Sequence, residues 1–125
     1  MTAGISLVLA SAASALPRQS EKAQEKLAKY EKTGETISCI NLRFVRSTDI
    51  LDDYSMLVEA NGELYLTEMN GRCSGLAHQR RYIHESPQGQ MCRGDIIRVI
   101  DAFGMPSGAC SLGDFEKLVE IETDE

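Results

Sequence analysis

The sequence predicts a mainly β fold, a small antiparallel sheet or incomplete barrel preceded by one helix and tied by disulfides. Three observations carry that expectation. Apolar residues recur with a period of two through the middle of the chain, Asn61-Gly62 offers a tight hairpin turn, and four cysteines stand in only 125 residues. The length is that of one domain.

The first stretch, "MTAGISLVLASAASALP", carries no charged side chain. Ile5 to Ala10 are a short apolar segment, and Ala13 and Ala15 supply small residues at −3 and −1 of a cut. Residues 1–15 therefore read as a secretory signal peptide, and the protein is expected in the periplasm or secreted. The apolar run is too short for a membrane span, which needs about 20 residues.

Residues 16–36 read as an N-terminal helix and linker. Ser20 is a natural N-cap, Glu21 sits in the positive first turn, and Gly34 is a stop. Ala23, Leu27 and Tyr30 make a narrow apolar stripe, with Glu25 and Lys29 as an i,i+4 pair.

Residues 37–121 read as the β domain. In "SCINLRFVRST", Ile40, Leu42 and Phe44 alternate with Asn41 and Arg43. "TDILDDYS" breaks the pattern as a turn. In "SMLVEANGELYLTEM" an Asn61-Gly62 type I′ turn sets Val58 opposite Tyr65 and Leu57 opposite Leu66. Both faces of that ribbon are apolar, so both should be covered. "NGRCSGLAHQ" reads as a loop, "RRYIHES" as a short strand, "DIIRVI" as a central strand and "DAFGMPSGACSLGD" as a Gly-rich loop. "FEKLVEIE" suits strand or helix, and residues 122–125 close the chain as an acidic tail.

Net charge is −6, unevenly placed. Six acids from Asp114 onward face Lys117 alone, whereas Asn70 to Ile100 holds five arginines against Glu85 and Asp95. Overall acidity argues against nucleic acid as a partner.

Four cysteines in a small exported chain imply two disulfides, each contributing roughly 2–4 kcal/mol. Spacings of 34, 19 and 18 residues contain no C-x-x-C, so neither a zinc knuckle nor a dithiol active site is signalled. Four cysteines allow three pairings. The expected one is Cys73–Cys92, clamping the loop around "RRYIHES", with Cys39–Cys110 joining the first strand to the C-terminal loop.

Arg93-Gly94-Asp95 matches an adhesion tripeptide, yet it is pinned between Cys92 and an apolar strand, so it reads as a turn. Asp52 and Asp53 read as capping and solvation, not as a catalytic pair. No nucleophile elbow or metalloprotease helix is present, and no cofactor or metal is expected. What remains is a candidate anion-binding face built from Arg72, His78, Arg80, Arg81 and His84.

The segments "KLAKYEK", "CINLRFVRSTDILDDYSMLVE", "ELYLTEMNGRCSGL", "MCRGDIIRV" and "CSLGDF" resemble a family of short exported proteobacterial proteins known as a domain of unknown function. The resemblance runs from about Lys26 to Phe115. It implies an exported, disulfide-bearing β domain and lends no catalytic residues. The expected function is thus a non-enzymatic periplasmic binding or envelope-associated protein, monomeric, with a macromolecule or envelope ligand as partner. The alternative is an inhibitor of a basic cell-wall hydrolase, acting through the acidic C-terminal end or loops. An enzyme of unrecognised type is third.

Overall fold

A computed structural model describes residues 20–85 and 88–121. The expected signal peptide and the acidic tail lie outside these residues. Strand accounts for 52% and helix for 14%, so the fold is mainly β. Among the described residues ten strands form three antiparallel sheets that do not close into a barrel.

A five-stranded sheet has the order β1 (Tyr30–Ile37), β10 (Phe115–Glu120), β5 (Glu63–Glu68), β4 (Ser55–Ala60), β3 (Val45–Ile50). β2 (Cys39–Asn41) pairs with β7 (Gln90–Cys92), and β8 (Ile96–Ile100) lies between β6 (Tyr82–His84) and β9 (Pro106–Ser111). The inner face of the large sheet meets the two smaller ones across a core of Met56, Val58, Phe115, Ile40, Met91, Ile97 and Val99. Its outer face is capped by α1 (Glu21–Leu27), where Ala23 and Leu27 pack on Leu57, Leu66 and Leu118.

The β4–β5 hairpin follows the sequence reading residue for residue. Leu57 lies opposite Leu66 and Val58 opposite Tyr65, and Asn61 and Gly62 have φ of +55° and +75°. Positive φ at both central residues matches the right-handed twist of the strands. Both faces of the ribbon are covered, as its double apolar pattern requires.

The N-terminal helix is shorter than expected. Ser20 caps it, its hydroxyl accepting from the Ala23 amide at 3.1 Å, but it ends at Leu27 and Tyr30–Ile37 becomes an edge strand paired with β10. Tyr30 still joins the Ala23–Leu27 stripe, reaching the same cluster from a strand. Thr33, Thr36 and Ile37 are β-branched, so pairing with β10 wins over continued helix. Lys26 finds Asp49 on β3, and no Glu25–Lys29 ion pair forms. Gly34 lies in the irregular stretch of β1 between Lys32 and Thr36.

Three further segments differ from expectation. Leu42–Phe44 form a 3-10 turn between β2 and β3, which leaves Phe44 exposed while Ile40 is buried. A short helix, α2 (Leu76–Gln79), interrupts the "NGRCSGLAHQ" loop. The Gly-rich stretch contains β9, and the ambiguous C-terminal piece is β10, an internal strand. Gly113 precedes β10 because nothing larger fits: a Cβ there would stand 2.3 Å from the Glu68 carbonyl oxygen.

The disulfides are Cys39–Cys92 and Cys73–Cys110, not the expected pairing. Cys39 and Cys92 are directly opposed on β2 and β7, while Cys73, just before α2, crosses to β9. Neither β7 nor β9 was legible as a strand, so the sequence offered no register from which to pair the sulfurs. The two bonds differ in access: Cys39 is exposed, and Cys73 is fully buried. Limiting reductant followed by alkylation should label Cys39 and Cys92 before Cys73 and Cys110, because an exposed disulfide is the easier one for a thiolate to reach. Peptide mass mapping reads the order.

Candidate partner-binding surface

Each aspartate expected in a turn supports its neighbourhood. Asp52 is only 6% exposed; its Oδ1 accepts from the Tyr54 amide and the Ser55 hydroxyl, both at 2.8 Å, and its Oδ2 from the Ser20 amide at 2.6 Å. Asp53 turns the other way. Its Oδ1 accepts from the Ala77 amide in α2 at 2.9 Å, and its Oδ2 from Arg72 Nε at 3.0 Å. The β3–β4 turn thus anchors one helix with each acid, a larger role than capping and solvation alone.

The Arg93-Gly94-Asp95 stretch is the turn between β7 and β8. Asp95 Oδ2 accepts from the Cys92 amide at 2.8 Å and lies 2.8 Å from His84 Nε2. Both contacts fall on one oxygen of a side chain that is 24% exposed, so the carboxylate is engaged within its own turn.

Of the five residues expected to bind an anion, three are held by other groups. Arg72 pairs with Asp53, His84 with Asp95, and Arg80 Nη1 donates to the Ile50 carbonyl at 3.3 Å. His78 and Arg81 are exposed and make no side-chain hydrogen bond or ion pair among the described residues. The acids of the C-terminal stretch are partly matched as well: Asp114 meets Arg93, and Glu116 meets Lys32. Glu63, hydrogen-bonded to Lys117, holds that ammonium above the usual lysine pKa, and Glu35 adds to the effect. Among the described residues no group of three or more His, Cys, Asp or Glu side chains could hold a metal. Nor is any described helix long and apolar enough to cross a membrane.

The feature that sequence reasoning missed is the tip of the β8–β9 hairpin. Phe103 is 90% exposed and Met105 61%. Asp101 holds them there. Its Oδ1 accepts from the amides of Phe103 at 2.9 Å and Met105 at 3.0 Å, while its own amide donates to the Met105 carbonyl at 2.9 Å. A fourth bond, from the Gly104 amide to the Asp101 carbonyl, closes the loop at 3.0 Å. Such a side chain-to-backbone turn is a recognised device of Asp. Here it fixes the backbone that carries the two apolar side chains into solvent. Ile83 and Ile96 are also exposed, on the sheet that carries the hairpin. The signal was present in "DAFGMP": a large aromatic and a methionine inside a turn, where neither is needed for backbone geometry.

Compared with known proteins, the chain matches no family model, and no curated protein and no solved structure matches it either. Function therefore rests on the residues themselves.

Proposed function

We propose that this is a non-enzymatic binding protein of the cell envelope that engages a protein partner through the Phe103–Met105 tip. The ordered exposure of Phe103 carries the reading. A large aromatic left in water forfeits roughly 1.5–3 kcal/mol of burial, and binding hot spots are aromatic-rich. The Asp101 bonds lower the ordering cost of binding, because the loop backbone is already shaped.

Two further observations support the non-catalytic part. Asp52, Asp53, Asp95 and Asp101 each direct a carboxylate oxygen at backbone amides, the work of turns and not of proton transfer. Two disulfides fit an oxidising compartment, as do the leader-like start of the chain and its resemblance to short exported proteins.

Replacing Phe103 and Met105 together by serine tests the reading. Neither side chain belongs to the core clusters, so the melting temperature should stay within about 2 °C of the parent. Affinity for the envelope partner should fall at least about thirtyfold, the loss of one hot-spot side chain. A native-size complex that survives the double substitution would sink the proposal.

A further inference from the structure

We infer that the partly covered end of the large sheet's outer face is a groove for a basic, amphipathic segment of a partner protein. It lies on a different sheet from the hairpin tip and does not rest on that reading. α1 rises only about 10 Å over its seven residues, whereas the six-residue strands beneath it run about 20 Å. Past Leu27 the face is only partly covered among the described residues: Tyr30 and Leu64 are half-buried, while Leu118 is buried. Two adjoining hollows of about 460 and 230 Å³ share Tyr30 and Leu118 and extend from Leu27 to Gly62.

The chemistry of the lining selects the occupant. Leu64, Leu118 and the Tyr30 ring offer an apolar floor, and Glu59, Glu63 and Glu120 line the same hollow. Lys117 matches Glu63 at 3.4 Å. Among the described residues Glu59 meets only the Ser47 hydroxyl, at 3.5 Å, and Glu120 makes no ion pair. Lys32, beside the smaller hollow, is already shared by Glu68 and Glu116. An apolar floor beneath unmatched carboxylates disfavours an acidic segment. It favours Leu-like side chains below with Lys or Arg beside them, and a cation within reach of the Tyr30 ring gains further. The chain's net charge of −6 steers the same class of partner. Strand addition at the β1 edge is the weaker choice, because Glu31, Lys32 and the irregularity after Lys32 protect that edge.

The test titrates the isotope-labelled protein with a synthetic peptide of about 14 residues carrying Lys and Leu at helical i,i+3/i+4 spacing. A scrambled peptide of equal composition serves as control. Amide shifts should centre on Tyr30, Gly62, Leu64 and Leu118. Affinity should drop about tenfold for the scrambled peptide and about tenfold for the Glu59→Gln/Glu120→Gln variant, since each exposed pair contributes up to about 1 kcal/mol. An unchanged amide spectrum away from positions 59 and 120 verifies that the variant is folded. Equal binding of the scrambled peptide, undiminished binding by the variant, shifts centred elsewhere, or no shifts at millimolar peptide would each overturn the inference.

Discussion

Replacing Cys73 and Cys110 together by alanine is expected to destabilise the protein by about 4 kcal/mol or more, measured as the loss of unfolding free energy in denaturant. The crosslink spans 37 residues, and loop-closure entropy alone accounts for nearly all of that figure. Chain entropy would rank Cys39–Cys92 slightly higher, since it spans 53 residues. Burial reverses the order. Cys73 is 0% exposed within the main cluster, so losing its sulfur also leaves a cavity, whereas Cys39 faces solvent. Native domains are stable by only about 5–15 kcal/mol, so the double substitution should consume a large share of the margin. Equal or greater loss in the Cys39→Ala/Cys92→Ala variant would show that entropy, not packing, ranks the two bonds.

The second large effect belongs to Asp52→Ala, with an expected cost of about 3 kcal/mol. Three donors would lose a buried, charged acceptor: the amides of Ser20 and Tyr54 and the hydroxyl of Ser55. Such bonds are stronger than neutral ones, and leaving their donors unmatched costs more than never having made them. A domain of this size should lose roughly 15 °C in melting temperature. Asp52→Asn separates the two oxygens. If the amide oxygen replaces Oδ1, the β3–β4 turn survives and only the Ser20 anchor of α1 is lost. Faster amide exchange confined to α1 would then accompany a smaller cost of about 1 kcal/mol. A loss below 1 kcal/mol for Asp52→Ala would mean that the turn does not organise the helix.

Much of the fold could be read from local chemistry. The β4–β5 hairpin was fully legible, because its turn dipeptide fixes register and its double-sided pattern fixes burial. β8 was legible from its β-branched run, and the Arg93-Gly94-Asp95 turn from its position between a cysteine and that run. What failed was non-local. Tyr30–Ile37 looks like a helix tail until β10 is there to pair with it, and β10 itself has mixed periodicity. β7 and β9 are short or glycine-containing strands inside stretches that read as turns, and the disulfide pairing failed with them.

The candidate surface was legible only in part. The basic residues Arg72, Arg80 and His84 suggested an anion face because their partners Asp53, Ile50 and Asp95 are distant in sequence, and only folding shows them engaged. Phe103 and Met105 were visible as letters but sat in a stretch read as a Gly-rich loop. Their exposure follows from the Asp101 turn, which depends on the β8–β9 pairing that the sequence did not show.

The most direct measurement places a photoactivatable benzophenone side chain at position 103 of the protein in its own cells, with position 31 on the protected β1 edge as control. The binding-protein reading predicts one protein adduct of fixed mass from position 103 and none from position 31. No adduct, or the same smear of lipid and protein products from both positions, would contradict it.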